Sequence, residues 1–432
     1  EIVLDAHGRF RRAEVLEKAH ANTLIPCTEK SGGRSSTRPE NHPLCDKLQY
    51  VAGDFLSHGG AVTSGFAKDP QEPHRNYLQA LSEWVSAHPH PKLNAILAYV
   101  RRGSLMADLV RCGVMPVHAE TGQLLKSWNG EKSQAPRIFK ALQPKQPPDD
   151  AFVRWRVELA DDPDSTTWQD EALLASWVTH YQSSMTHRGL CMVTGVSTVL
   201  ATKHPAKLRH GADTAKLISS NDDKDFTYRG RFDTDEQAAG VGFIASQQAH
   251  NALRWLIARQ GHVNSSQVFV AWEPTGKAVP NPFEPTLDNL LEFGGTWTQE
   301  PLSADVGEAF ALRLKQAIAG YQAMLTPSDQ VILIGLDSAT TGRMAITFYR
   351  ELRGSEFLAR IEDWHSRFAW THQYSKERKF IGAPAPRDIA EAAYGRRLDQ
   401  ALRAAVIEAF GNFVMGGNFV IGIIVFAILL IV

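Results

Sequence analysis

Two hydrophobic periods alternate along this chain. In residues 152–159 the apolar side chains recur at every second position, which is typical of a strand with one buried face. Between residues 75 and 112 they recur every three to four positions, which predicts a helical hairpin. Because both patterns are interspersed without an internal repeat, the sequence predicts an α+β fold. We expect mixed helices and small β-sheets in two domains, followed by an apolar C-terminal segment.

Other segments extend this pattern. Helices are predicted over residues 168–181, 236–260 and 305–325, and strands over residues 267–272, 331–336 and 344–349. The last two strands should pair as a hairpin around a turn at residues 337–343.

A short apolar strand, a tight turn at Gly195 and a long basic loop follow one another in mid-chain. Residues 203–231 hold seven Lys/Arg against four Asp, so this loop is too polar and too positive to be core. Such a balance suits a phosphate backbone. The candidate residues for contacting that backbone are Lys203, Lys207, Arg209, Lys216, Lys224, Arg229 and Arg231.

Composition limits the class of protein. A length of 432 residues allows two or three domains with proper cores. The net charge of −1 argues against a general nucleic-acid coat, which would be basic overall. A net charge of −1 is still compatible with a subunit that contacts nucleic acid on one face only. The four cysteines lie far apart without a Cys-x-x-Cys, so we expect reduced thiols in a cytoplasmic protein and no zinc ribbon.

Four blocks, in order, carry a resemblance to a known family. The first is Asn-His-Pro-Leu-Cys-Asp at 41–46, and the second is Cys-Met-Val-Thr-Gly at 191–195 with His-Pro at 204–205. The third is Val-Phe-Val-Ala-Trp at 268–272, and the last is the helical motif at 388–397. Together they resemble the large subunit of the type I-C CRISPR Cascade surveillance complex. The short sequence elements that follow His-Pro in the family are present here only in part, at residues 219–221 and 228–230. The roles of the family's loop residues are therefore not assigned to positions in this chain.

The resemblance implies a function and a set of partners. The family's large subunit recognises the protospacer-adjacent motif in duplex DNA and stabilises the R-loop and its displaced strand in RNA-guided antiviral defence. The expected partners are target DNA, crRNA, the Cascade backbone and crRNA 5′-end subunits, and a recruited helicase-nuclease that cuts. The subunit itself is expected to be non-catalytic, without cofactor or metal.

A Pro-rich run at 136–148 marks a domain boundary, and the resemblance suggests a role for each part of the chain. Residues 1–148 would form an N-terminal motif-sensing domain, and residues 149–380 an α+β DNA-contacting domain. Residues 381–410 would begin the family's C-terminal helical region, and we expect the chain to be truncated relative to the family.

A Gly/Ser-rich loop at 31–39 is the predicted motif-reading region. It would bring backbone donors and two arginines close to DNA, and an Asn beside it is suited to hydrogen bonding with base edges. An ordinary solvated loop is the alternative. The candidate residues are Arg34, Ser35, Ser36, Arg38, Asn41 and Lys47.

Residues 343–380 interleave eight Lys/Arg with eight aromatic residues. Stacking combined with phosphate neutralisation holds single strands without sequence readout. An amphipathic surface with its aromatic residues in the core is the competing interpretation, and the resemblance favours nucleic-acid contact.

Asp337 is the one residue that suggests catalysis. It follows an apolar segment and precedes a Ser/Thr turn, as in actin-like ATPases and ribonuclease-H-like nucleases. A metal-dependent nuclease or ATPase would need further carboxylates on adjacent strands, and the nearby sequence has none that match. A hairpin turn favoured by Asp and Ser is the simpler interpretation. The scattered histidines lack metal-ligand spacing.

The C-terminal segment, residues 411–432, has no charged residue and meets the length of a membrane span. Its start resembles a membrane segment of the flagellar export-gate family. We therefore expect an apolar transmembrane tail that is foreign to the Cascade family, acquired by fusion or error. Two alternatives are that the whole protein is membrane-anchored and that the tail is a buried core segment. Contact with a membrane is expected only through this tail.

Overall fold

The structure is a computed structural model. It describes residues 1–34, 36–143, 146–220, 231–264, 266–285, 306–340, 342–373, 379–395, 399, 402–403 and 405–409. The chain divides into two compact units, one of Glu1–Lys203 with Gly240–Phe243 and one of His204–Ala239 with Ile244–Val432. This division lies later in the chain than the predicted boundary at 148. The reason is that a strand after residue 150 pairs with the first strand of the chain.

The first unit contains helices and short strands. Its helices are α1 (Glu29–Gly33), α2 (Leu48–Val51), α3 (Glu72–Ala87), α4 (Pro91–Val100), α5 (Leu105–Arg111), α6 (Arg137–Ala141) and α7 (Glu171–Ser184). Its strands are β1 (Ile2–Asp5), β2 (Phe10–Ala13), β3 (Asp46–Lys47), β4 (Phe152–Val153), β5 (Trp155–Glu158), β6 (Arg188–Leu190) and β7 (Ser197–Val199). The three-stranded sheet has the order β2-β1-β5, with β1 antiparallel to β2 and parallel to β5.

Hydrophobic periodicity explains the core of this unit. On α3, Tyr77, Leu81 and Trp84 recur every three to four residues, and all three are buried. The predicted helical hairpin is thereby confirmed, with α5 as a third helix. Trp155 of β5 is also buried, and its indole nitrogen donates a hydrogen bond to the carbonyl oxygen of Leu44 at 2.9 Å. The Tyr77 hydroxyl donates to the same oxygen at 2.7 Å.

The second unit is built on an antiparallel sheet. Its strands are β8 (His262–Asn264), β9 (Gln267–Trp272), β10 (Gln330–Thr340), β11 (Arg343–Arg353), β12 (Trp370–Gln373) and β13 (Lys379–Gly382). Its helices are α8 (Asp235–Ala239), α9 (Phe243–Gln260), whose first residue belongs to the first unit, α10 (Val306–Met324), α11 (Gly354–Arg367) and α12 (Pro386–Tyr394). The sheet order is β11-β10-β9-β8, and β12 pairs with β13 separately.

The expected α+β class is confirmed, with three local corrections. The predicted helix over 236–260 is interrupted at residues 240–242 and forms α8 and α9 instead. The predicted hairpin is longer than expected, so Asp337 lies within β10 opposite Ala345 and not in the turn. The helix predicted to run beyond Tyr394 is broken at Gly395, which has a φ of 81°, while residues 402–403 and 405–409 are helical again.

Two of the predicted segments near the C-terminus fall outside the described residues. One is the apolar tail, residues 411–432, and the other is the pair Arg396 and Arg397 of the last family block. Within the part of the chain that the structure describes, no helix has the length and apolar character needed to cross a membrane.

Candidate nucleic-acid interface

The predicted motif-reading region begins with α1, a single capped turn. The Thr28 hydroxyl accepts a hydrogen bond from the backbone N–H of Ser31 at 2.9 Å, and the Ser31 hydroxyl accepts from the backbone N–H of Thr28 at 2.8 Å. This reciprocal capping satisfies two backbone donors at the helix start. The turn ends at Arg34, which adopts the left-handed conformation with a φ of 39°. The backbone of the Gly/Ser-rich segment is therefore folded against the first unit.

Arg34 points inward. Its guanidinium forms an ion pair with the fully buried Asp46 and lies over the Tyr50 ring, 5.2 Å from the ring centroid. Asp46 also accepts hydrogen bonds from the backbone N–H groups of His42 at 2.7 Å and Lys47 at 2.6 Å. Burial raises the pKa of the Asp46 carboxyl, and the Arg34 charge acts against that rise. This arrangement assigns Arg34 a structural role, in contrast to the DNA contact predicted from sequence.

Asn41 is also withdrawn from solvent. Only 8% of the residue is exposed, and its side-chain amide donates a hydrogen bond to the carbonyl oxygen of His42 at 3.2 Å. This position does not support the prediction that Asn41 reads a base edge, because a groove contact requires an accessible amide.

Three of the predicted motif-region residues do reach the surface. Ser36 is exposed, and 56% of the Arg38 side chain is exposed even though it forms an ion pair with Glu72. Lys47 is half-buried and pairs with Asp150. Ser35 lies outside the described residues. The accessible part of this region is therefore formed by Ser36, Arg38 and Lys47.

The basic loop is only partly a surface feature. Leu208 and Ala215 are buried in a cluster with Ile257 and Val268, so the expectation that the whole loop is excluded from the core is wrong. Apolar positions between the charges anchor it to α9 and β9.

Arg209 is the clearest departure among the basic residues. Its side chain is 7% exposed, and its guanidinium contacts the Asp213 carboxylate at 2.8 Å and donates to the carbonyl oxygen of Ser266. The Asp213 hydrogen bond raises the pKa of Arg209 further. Because the Arg209 guanidinium is buried and already paired, it is not available to bind a phosphate.

The other basic positions differ in access. Lys203 and Arg231 are exposed, and Lys207 is half-buried with a φ of 62°. Lys216 is half-buried beside β11, and its carbonyl oxygen accepts a hydrogen bond from the backbone N–H of Met344 at 2.9 Å. Lys224 and Arg229 lie outside the described residues.

The Cys-Met-Val-Thr-Gly block forms the tip of the β6–β7 hairpin. Cys191 is buried beneath the tip, and its sulfur accepts from the backbone N–H of Gly242 at 3.1 Å. Hydrogen bonds from the Thr194 side chain and from this amide lower the pKa of the Cys191 thiol to about 7. Four aliphatic side chains around it are more than half exposed, namely Leu190, Met192, Val193 and Val196.

His204, in the next part of the same motif, faces the interior. Its Nδ1 lies 2.8 Å from the Ser246 hydroxyl oxygen, and its ring stacks on that of His250. Burial lowers the pKa of His204 to about 4 and also lowers that of His250. The His-Pro motif thus forms a neutral, buried pair of histidines in the second unit.

The features that suggested other chemistry have the following surroundings. Asp337 accepts hydrogen bonds from the Gln267 side chain at 3.3 Å and from the backbone N–H of Ser338 at 2.6 Å. Among the described residues, no three His, Cys, Asp or Glu side chains come together as a metal site. In the 343–380 segment, Phe348, Phe357 and Trp364 are buried in the core, which fits the amphipathic interpretation.

Sequence reasoning missed the acidic residues that hold the predicted arginines. Arg34 and Asp46 are 12 residues apart, and Arg38 and Glu72 are 34 apart. No local pattern indicates such pairs, because the chain reverses between their members.

Comparison with known proteins concerns nearly the whole chain. A family model described as CRISPR-associated protein (Cas_Csd1) matches residues 1–418. This match extends eight residues into the apolar tail, and nothing in the comparisons supports the resemblance of that tail to a flagellar export-gate segment. No curated protein matches the chain. The extent of the family match places this chain in the Cas_Csd1 family of CRISPR-associated proteins.

Proposed function

We propose that this chain is the non-catalytic large subunit of a type I-C Cascade. In this role it recognises the protospacer-adjacent motif in duplex DNA and stabilises the R-loop and displaced strand. The observation that carries the proposal is the family match over residues 1–418. Base pairing with the guide RNA then reads the target sequence, while the protein reads only a short duplex element.

Arg38 is the best-placed residue for motif contact. Its guanidinium is accessible, and the ion pair with Glu72 is at the surface, where such pairs contribute little to stability and exchange readily for another anion or acceptor. Arginine can bind a guanine edge or a phosphate with two hydrogen bonds. Lys47 and Ser36 would add contacts with the backbone beside it.

The exposed cations Lys203 and Arg231, with the half-buried Lys207, support contact with a DNA backbone that is independent of sequence. The proposed partners are target DNA, crRNA, the Cascade backbone and crRNA 5′-end subunits, and a recruited helicase-nuclease that performs the cutting. The proposed location is the cytoplasm.

The test uses the full chain assembled with its guide and partner subunits. Binding is measured by fluorescence anisotropy on guide-matched duplexes whose flanking positions are randomised, and the preferred motif is identified by sequencing the bound fraction. Arg38→Ala should reduce the preference for that motif by about 1–3 kcal/mol, as expected for a lost base contact. Arg111→Ala is the control, because it removes another exposed arginine that forms an ion pair, here with Asp108.

If the complex containing the unmodified chain binds all flanking sequences equally, motif recognition by this protein is refuted. If the preference survives Arg38→Ala unchanged, motif recognition by Arg38 is refuted, and the reading residue lies elsewhere.

A further inference from the structure

Two segments of the first unit that pack against each other carry five arginines between them. Arg9, Arg11 and Arg12 lie in and just before β2, and Arg101 and Arg102 follow the C-terminal end of α4. The sequence motifs did not mark them, because about 90 residues separate the two groups. We call these five residues the arginine cluster.

Packing around Tyr99 brings the two groups together. The Phe10 ring stacks on Tyr99 with centroids 6.3 Å apart, and the Arg102 guanidinium lies 5.3 Å from the centroid of the same Tyr99 ring. Gly8, with a φ of 67°, approaches α4 so closely that a Cβ atom would lie 2.2 Å from the carbonyl oxygen of Ala95. Only glycine fits this approach, so the position of the β1–β2 turn against α4 is built into the fold.

The cluster has more positive charge than its neighbours neutralise. All five arginines are exposed. Arg11 contacts Asp5 at 3.2 Å and Arg12 contacts Glu158 at 2.8 Å, while the Asp5 carboxylate also accepts two backbone N–H groups. Among the described residues the other three arginines form no ion pair, although the Arg9 charge helps to lower the pKa of Asp5 and Arg101 donates a hydrogen bond to the Ser82 hydroxyl at 3.3 Å. In a chain with a net charge of −1, this is a local excess of cations.

Two ordinary explanations account for only part of the cluster. A cation near the end of a helix interacts favourably with the helix dipole, which would explain Arg101 or Arg102. Charged residues on an edge strand discourage strand pairing, and β2 is at the edge of its sheet. Neither effect explains why both segments that pack at Tyr99 carry exposed arginines.

We propose that the arginine cluster binds the phosphodiester backbone of duplex DNA. Guanidinium groups bind phosphate oxygens with paired hydrogen bonds, and several of them together hold a backbone without reading bases. A duplex fits better than a single strand, because single strands need exposed aromatic rings for stacking. Tyr99 is only 2% exposed, and Phe10 is packed against it. The choice of DNA rests on the proposed function.

The test is the salt dependence of binding to a guide-matched 40-base-pair duplex by the complex containing the full chain. Arg9→Gln combined with Arg101→Gln should lower the slope of log K against log salt by about 2, because each lost phosphate contact removes about 0.9. Lys132→Gln combined with Lys315→Gln removes the same charge from exposed positions outside the cluster and should leave the slope unchanged.

Arg9→Lys combined with Arg101→Lys retains the charge and should restore most of the slope. Motif preference should stay the same in all of these variants. The salt slope therefore tests this inference, and the motif preference separately tests the proposed function. An unchanged slope in the glutamine variant, with a normal melting temperature, overturns the inference. A slope that falls only on single-stranded DNA or on RNA overturns the assignment to duplex DNA.

Discussion

Arg34 forms an ion pair with Asp46, whose carboxylate is completely buried. This pair closes the turn after α1 and holds the Leu-Cys-Asp block against the first unit. A residue that the sequence predicted to contact DNA therefore supports the surface from which Arg38 and Lys47 project.

Arg34→Met should destabilise the protein strongly, because it leaves the Asp46 carboxylate buried without its partner. Removing one member of a buried pair costs about 3–5 kcal/mol. Urea unfolding followed by fluorescence measures this change in the first unit. Arg75→Met, which breaks the exposed pair with Asp69, should change the free energy of unfolding little. Equal effects of the two substitutions would show that the Arg34 pair is not a buried one.

Asn41→Ala should lower the melting temperature and leave motif preference unchanged. The reason is that the Asn41 amide is buried and hydrogen-bonded to the carbonyl oxygen of His42. Thermal melting and the binding assay with randomised flanks separate the two effects. A selective loss of motif preference in a variant with an unchanged melt would restore Asn41 as a base-reading residue.

The buried histidine pair should make the stability of the folded protein depend on pH. Burial lowers the pKa of His204 from 6.5 to about 4 in the folded protein, so the unfolded chain binds more protons between these values. Stability is therefore complete above pH 6.5 and decreases as the pH falls towards 4.

The measurement is the melting temperature between pH 7.5 and 4.5. His204→Gln, which can keep a hydrogen bond with Ser246, should reduce the decrease. His118→Gln, at an exposed position, should not change it. A pH dependence that is identical in all three proteins would contradict a neutral, buried His204.

The basic loop should separate into two kinds of residue. Lys203→Glu with Lys207→Glu should lower the salt slope of DNA binding by about one unit per lost phosphate contact, whatever the DNA sequence. Arg209→Gln should instead lower the melting temperature, because it breaks a buried pair with Asp213. A slope that responds to Arg209→Gln but not to the lysine changes would contradict the structure of this loop.

Local periodicity was sufficient to predict much of the fold. The spacing of Tyr77, Leu81 and Trp84 predicted α3, and the apolar run at 267–272 coincides with β9, because both patterns reflect burial within one element. The break between α8 and α9 was missed, and so was the end of α12, which depends on the conformation of a single glycine, Gly395.

The candidate site was less predictable than the fold. A basic residue in the sequence has the same appearance whether it faces solvent, as Lys203 does, or pairs internally, as Arg209 does. The outcome depends on acidic partners supplied by tertiary structure. The arginine cluster was missed for the same reason, because the two segments that carry it pack together only in the tertiary structure, at Tyr99 and Ala95.

The central claim is that this chain enables a guide-loaded Cascade to open duplex DNA beside a specific motif. Permanganate footprinting of thymines in the displaced strand measures this directly, in complexes assembled with and without the chain. We expect reactivity only when both the chain and its motif are present, and no cleavage until the helicase-nuclease is added. Equal reactivity without the chain, or on a duplex with a scrambled motif, would contradict the account.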